Sequence, residues 1–249
     1  MVKDKRHNYI LDKIRMHRKV NSKNLAMELN VSEDTVRRDL NELDRKGLLL
    51  KVHGGAISTI QRLYHYNENV IFNHDKKVKI ANKAVSLIQD GMVIIISGGT
   101  TNLVLSRLIP KNIRVTIYTY SLPIAMQLVE HPEVETIFIG GKIEKKSMVT
   151  VGIDVIQDLS KIRADICFLG ASSVDIDHGI TEVGYEVSLV KKAMIASSEK
   201  VVSLVTSAKL NDRQNYGVCS LDEIAALVTD LDPSDKMLKS YLKADVKLL

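Results

Sequence analysis

Apolar residues recur at helical spacing through the first fifty positions. Tyr9, Ile10, Ile14 and Met16 predict a first helix between Lys5 and His17 with its basic residues outside. Leu25, Ala26 and Leu29 mark a short second helix that Ser22 is placed to cap and Asn30 to end. A third helix starts almost at once. Ser32 is its expected cap, Glu33 and Asp34 suit the positive helix start, and Val36, Leu40 and Leu43 at i, i+4 and i+7 form its buried stripe. Gly47 offers a stop, the run Leu48 to Val52 has strand character, and His53-Gly54-Gly55-Ala56 reads as a turn. Together these resemble the hairpin of a winged helix.

The pattern then changes. The stretch from Ile57 to Asp75 breaks the periodicity and is polar and aromatic, as a connecting segment is, so the expected division is 1–57, a linker at 58–75, and 76–249. Beyond it strands and helices alternate. Strands are expected at Met92 to Ile96, Val115 to Tyr118, Val134 to Ile139, Asp165 to Leu169, Val201 to Val205 and Ala226 to Val228. Helices are expected at Ile80 to Ile88, Asn102 to Leu108, Pro123 to Val129 and Tyr185 to Ser197. Several strands are unbroken apolar runs, which predicts an α/β domain with a mainly parallel sheet covered on both faces.

Length and composition agree with this division. At 249 residues, 45% apolar and 26% charged, the chain has material for two packed domains and is not of the disordered class. Two cysteines, Cys167 and Cys219, are too few for a disulfide framework and lack zinc-site spacing; they read as small buried hydrophobes of a protein kept reduced. No metal or cofactor is expected. The charged start of the chain and the shortness of its apolar runs point to a cytoplasmic protein with no membrane partner.

The net charge of +5 is concentrated at one end: residues 1–59 hold 13 Lys+Arg against 8 Asp+Glu, and residues 60–249 hold 22 against 22. A basic small domain beside a neutral large one predicts that the first meets a polyanion. Two short helices about a tight turn, with Thr35, Arg37 and Arg38 outside the buried stripe of the second, form a helix-turn-helix pattern. Arginine pairs with guanine N7 and O6, and threonine contacts a base or a thymine methyl. Candidate contacts to double-stranded DNA are therefore Ser22, Ser32, Asp34, Thr35, Arg37 and Arg38, with Lys51 and His53 of the wing on phosphate. Read on the residues alone, a protein-interaction module stays open.

In a parallel sheet, ligands settle at the carboxyl ends of the strands. After Ile96 comes Ser97-Gly98-Gly99-Thr100-Thr101-Asn102 and then a helix, which gathers glycines, hydroxyls and free N–H groups at a positive helix end and suits a phosphate. The segment is neither a Walker loop nor a GxGxxG fingerprint, and a purely structural turn is the alternative. Other strand ends contribute Tyr120 and Ser121, Gly141 and Lys142, Ser173, and Lys209, with Thr181 in a loop and Lys191 on a helix as further candidates.

The string SKNLAMELNVSEDTVRRDLNELDRKGLLLKVHGGA resembles the N-terminal signature of DeoR-type bacterial regulators, and SGGTTNLV, YTYSLPIA, FIGGKI, FLGAS, GITE and EVSLVKKAMI resemble the DeoR sensor domain. The resemblance covers nearly the whole chain. It implies a ribose-5-phosphate isomerase-like α/β fold that senses a phosphorylated sugar or related metabolite. It also implies a homodimer or homotetramer that controls transcription of carbohydrate genes, usually as a repressor. Family sensors usually carry Asp where Ser97 stands and Asn where Tyr120 stands.

An isomerase fold does not confer catalysis, because moving a proton between adjacent carbons needs a positioned base. Gly170-Ala171-Ser172-Ser173-Val174-Asp175 carries serines where such isomerases have acidic residues. No catalytic residue is assigned, and a DNA-tethered isomerase that uses Asp175, Glu182 or Glu186 is the alternative.

Overall fold

The structure is a computed structural model of the chain and describes residues 3–17, 19–46, 48–57, 71, 73–244 and 246–249. It divides into two units, Met1–Leu63 and Tyr64–Leu249. Most of the expected linker, 58–70 and residue 72, lies outside the described residues.

The first unit runs α1 (Lys3–His17), β1 (Lys19–Asn21), α2 (Ser22–Leu29), α3 (Glu33–Arg45), β2 (Leu50–Val52) and β3 (Gly55–Ile57). The cap of α2 is Asn21, whose side chain accepts from the Lys23 and Asn24 N–H groups; Ser22, expected there, is the first helical residue instead. An amide oxygen caps as well as a hydroxyl, so the chain simply enters the helix one residue earlier. Asn30 ends α2 in the left-handed conformation, and Ser32 caps α3 by accepting from Thr35 N–H at 3.2 Å. Val36, Leu40 and Leu43 of α3 pack with Ile10, Ile14, Leu25 and Leu29 into one core. The wing is shorter at its turn than the sequence suggested. Gly54, with φ +75°, makes the reversal, while Gly55 and Ala56 belong to β3, which lies between β1 and β2.

The second unit continues with α4 (His74–Val85), β4 (Val93–Ile96), α5 (Thr100–Leu108), β5 (Val115–Thr119), α6 (Leu122–Val129), β6 (Val134–Phe138), β7 (Lys142–Glu144), β8 (Val149–Val151) and α7 (Ile153–Ser160). It ends with β9 (Ala164–Gly170), β10 (Ser173–Asp175), β11 (Gly179–Glu182), α8 (Tyr185–Ala196), β12 (Ser198–Leu204), β13 (Tyr216–Cys219), β14 (Ala226–Val228) and β15 (Lys247–Leu248). Seven strands form one sheet in the order β15-β14-β12-β9-β4-β5-β6, every pair parallel. Alternate residues of β4 serve opposite faces: Ile94 and Ile96 join the core with α4, α5 and α6, and Ile95 joins the core with α7 and α8. Burial on both faces explains the unbroken apolar runs.

The chain builds β4, β5 and β6 outward to one side and then returns to lay β9, β12, β14 and β15 on the other. The order reverses between β4 and β9, the place where sheets of this kind form a crevice at the strands' carboxyl ends. Among the described residues, no helix is long and apolar enough to cross a membrane, and no group of His, Cys, Asp and Glu is placed to hold a metal.

Candidate functional site

In the first unit, α3 separates its residues by face. Val36, Asp39, Leu40 and Leu43 are buried, and Arg37 and Arg38 are exposed. Arg38 is held by Asp34 one turn earlier, Nη2 to Oδ2 at 2.6 Å, and Thr35 Oγ1 lies 2.9 Å from Ser32 Oγ. On the hairpin, Lys51 Nζ donates to Asn41 Oδ1 at 2.6 Å, which anchors the wing to α3, and His53 stands exposed at the turn. Ser22 N–H donates to Gly54 O at 2.9 Å, so the start of α2 is tied to the same turn.

In the second unit, the β4–β9 crevice is stitched by Ser97. Its Oγ accepts from Gly170 N–H at 2.7 Å and from Asn102 Nδ2 at 2.9 Å, and Asn102 Nδ2 also donates to Phe168 O at 3.1 Å. The Ser97 hydroxyl is thus spent joining two strands. Gly98 must be small: a Cβ there would meet Val149 Cγ1 at 2.6 Å, and would sit 3.8 Å from Ser121 Oγ. The Ser121 hydroxyl is fully buried and has no hydrogen-bond partner, and neither has Asn102 Oδ1. Orphaned polar atoms are costly to bury, and these lie beside the helix start that Gly98 and Gly99 open. Gly99 N-caps α5 without any side-chain bond, which leaves its first N–H groups pointing outward from a positive helix end. Thr100 is half-buried and accepts from Lys77 Nζ at 2.8 Å, and Thr101 is buried in the same turn.

Beside this loop lies a buried charge cluster. Lys191 Nζ donates to Glu182 Oε2 and, at 2.8 Å, to Gly170 O; Ser172 Oγ and Val183 N–H donate to Glu182 Oε1. Burial works against the charge on Glu182, but the Lys191 ammonium and these bonds outweigh it and hold the carboxyl below its usual range. Lys209 Nζ donates to Ala171 O. Burial, with Lys191 adding to it and Glu182 opposing, lowers the Lys209 pKa to about 8. Gly170 therefore joins the two halves of the crevice, with its N–H on Ser97 and its carbonyl on Lys191.

Other sequence candidates fall outside this arrangement. The Tyr120 side chain is only 1% exposed and packs in the aliphatic core. Gly141 and Lys142 are exposed at the β7 hairpin, with Lys142 paired to Glu186 at 2.9 Å. Ser173 and Thr181 are buried and tied to the segment before β13: Ser173 Oγ donates to Asp212 Oδ2 at 3.1 Å, and Thr181 Oγ1 accepts from Gln214 N–H at 2.8 Å. Asp175 binds His178 Nδ1 at 2.7 Å at a hairpin tip. The sequence reading missed Lys77 and undervalued Glu182. A lysine at the i position of an Ile80-Ala81-Ala84 stripe was the available signal for the first, since it falls on the buried face.

The family description "DeoR-like helix-turn-helix domain" matches residues 6–62, and "DeoR C terminal sensor domain" matches residues 72–231. The HTH-type transcriptional repressor GlcR of Bacillus subtilis is 30% identical over 251 aligned residues, 100% of this chain and 96% of that protein. The Glycerol-3-phosphate regulon repressor of Escherichia coli is 28% identical over 100% of this chain and 99% of its own. A ribose 5-phosphate isomerase of Methanocaldococcus jannaschii overlaps 55% of each chain at 24% identity with a TM-score of 0.42, and the α/β assignment rests on this chain's own sheet and on the sensor-domain match instead. The full-length relatives are regulators and not enzymes by name, and with both of its domains matched the chain belongs to the DeoR family of DNA-binding transcriptional regulators.

Proposed function

We propose that the protein represses genes of carbohydrate metabolism and releases or regrips its operator when a phosphorylated sugar or related metabolite occupies the β4–β9 crevice. The observation that carries this reading is the unpartnered Ser121 hydroxyl buried beside the open start of α5, at the point where the strand order reverses. A phosphoryl group there accepts from the α5 N–H groups and from Thr100 and Ser121, while Lys191 and Lys209 bring positive charge to the sugar end. Names of the relatives, with their repressors and a glycerol-3-phosphate regulon among them, support the same class of effector.

On DNA, α3 enters the major groove with Thr35 and Arg37 toward base edges, Ser22, Ser32 and Asp34 at the helix starts, and Arg38, Lys51 and His53 on the backbone. The neutral sensor domain assembles two or four copies so that paired heads meet paired half-sites. Effector control follows if the ligand binds two arrangements of that assembly unequally. Glu182 is committed to Lys191, Asp175 to His178 and Glu186 to Lys142, so each of the three carboxylates of the isomerase alternative already has a cationic or imidazole partner.

A thermal-shift screen of phosphorylated sugars and sugar acids tests the reading, because a ligand that binds only the folded state raises the melting temperature by mass action. A hit that also changes operator affinity supports it. A complete panel without a stabilising compound counts against the crevice as a metabolite site.

A further inference from the structure

Three consecutive residues at the carboxyl end of β9 gather charged side chains from three other elements. Gly170 O accepts from Lys191 Nζ at 2.8 Å, Ala171 O accepts from Lys209 Nζ, and Ser172 Oγ donates to Glu182 Oε1. Lys191 comes from α8, Glu182 from β11, and Lys209 from the short turn Ser207–Lys209. The charges do not balance. Two ammonium groups share one carboxylate, and that carboxylate is fully engaged: Oε2 takes Lys191, and Oε1 takes Ser172 Oγ and Val183 N–H. Asp230, which accepts from Ser207 N–H at the start of the Lys209 turn, is itself paired with Lys76 at 3.0 Å. Lys209 is left with the neutral carbonyl of Ala171 as its acceptor. A charge removed from water with no counter-charge is costly, and an anion placed beside it is correspondingly favoured.

We propose that the effector is a phosphorylated sugar acid, an anion at both ends, whose carboxylate is bound by Lys209. This rests on the β4–β9 crevice being the effector site. Gly170 sets the direction: its N–H donates to Ser97 Oγ on the side of the α5 loop, and its carbonyl accepts from Lys191 on the side of the charge cluster. A ligand with its phosphoryl group at α5 runs its other end past Gly170 toward Lys209. A carboxylate there gives Lys209 a charged acceptor in addition to a neutral one and evens the charge of the cluster. A sugar end that carries only hydroxyls leaves the excess positive charge in place and forgoes the charge-assisted bond.

The test uses the full-length protein and matched pairs of probes at equal ionic strength: 3-phosphoglycerate against glycerol 3-phosphate, 4-phosphoerythronate against erythritol 4-phosphate, and 6-phosphogluconate against glucitol 6-phosphate. Members of a pair differ only in a carboxylate that replaces a terminal CH2OH. Affinity is read by thermal shift over a titration. In the pair whose length suits the crevice, the acid is expected to bind about tenfold or more tightly than its polyol. Lys209→Met should erase that preference and keep the polyol affinity, and Lys200→Met, which removes an exposed lysine of β12, should keep both. A second readout needs no variant to fold. Calorimetry of wild type near pH 8, in buffers of different ionisation heat, should show more proton uptake with the acid than with the polyol, because the added carboxylate raises the Lys209 pKa from about 8. A polyol that binds as tightly as its acid, equal proton uptake, or a Lys209→Met protein that loses both members alike overturns the proposal and leaves the crevice standing. A panel in which no probe stabilises wild type overturns the crevice and the sugar acid with it.

Discussion

Arg6 holds Asp39 with two parallel hydrogen bonds, Nε to Oδ2 at 2.6 Å and Nη2 to Oδ1 at 3.0 Å, and so fastens α1 to the inward face of α3. His7 Nε2 lies 3.1 Å from the same carboxylate. Within the string Val36-Arg37-Arg38-Asp39-Leu40, two charges face out and one faces in. Burial opposes the charge on Asp39, but the bonds from Arg6 and His7 prevail and lower its pKa. A depressed carboxylate stabilises the fold above its unfolded pKa and loses that contribution as pH falls through the folded value. Asp39→Asn should therefore lower the head's stability by about 3 kcal/mol at neutral pH. It should also flatten the acid limb below about pH 4. Urea melts of the two proteins across pH check both.

Arg37 and Arg38 differ in readiness. Arg38 is pinned to Asp34, whereas Arg37 is exposed on the same face. Arg37→Ala should relax base discrimination by about 1 to 3 kcal/mol if it reads a guanine. Arg38→Ala should weaken binding more evenly across sequences and reduce its salt dependence. Competition binding over a set of duplexes at several salt concentrations separates the two. Equal, unchanged affinity in both variants would remove α3 from the groove.

Ser121→Ala removes a buried hydroxyl that bonds to nothing. Its effect on folding should be neutral or slightly stabilising, because an unsatisfied group is lost. Effector affinity should nevertheless fall about tenfold. Calorimetric melting with and without effector checks the pair of expectations. A destabilised variant with normal effector affinity would show that the hydroxyl serves the fold.

Lys191 and Glu182 form a buried pair whose partial removal strands a charge. Lys191→Met should destabilise the sensor by about 3 kcal/mol, and Lys191→Met with Glu182→Leu should recover much of the loss. Denaturant melts of the single and double variants check this. Glu182 also has a depressed pKa, so the stability it provides is present above the unfolded carboxyl range and is lost on acidification.

The helix-turn-helix and the parallel sheet were legible because both depend on periodicity. Val36, Leu40 and Leu43 repeat at one helical face, and Val93 to Ile96 form an apolar run that only a doubly covered strand explains. Strand ends were legible as places, but not which of them meet. Seven strands can be ordered in many ways, and the observed order brings Ser97 at the end of β4 beside Gly170 at the end of β9. Tyr120 illustrates the limit: one residue from Ser121 in the chain, it turns into the aliphatic core while Ser121 is left without a partner. Pairings such as Arg6 with Asp39 and Lys77 with Thr100 span 33 and 23 residues, and no local pattern announces them. The three residues of β1 carry too little periodic signal to be read, whereas α7, with Val155 and Leu159 buried at i and i+4, had a helical face that the sequence offered.

One domain that holds DNA and another that decides how tightly imply a coupling between effector and operator. Its most direct test is the operator affinity of full-length protein, measured on a duplex selected by the protein from a random pool, as a stabilising sugar phosphate is titrated in. Wild type should show a saturable change, and Thr100→Ala with Ser121→Ala the same effector-free affinity with that change abolished. A double variant that responds as wild type does, or that loses DNA affinity without any effector, would contradict it.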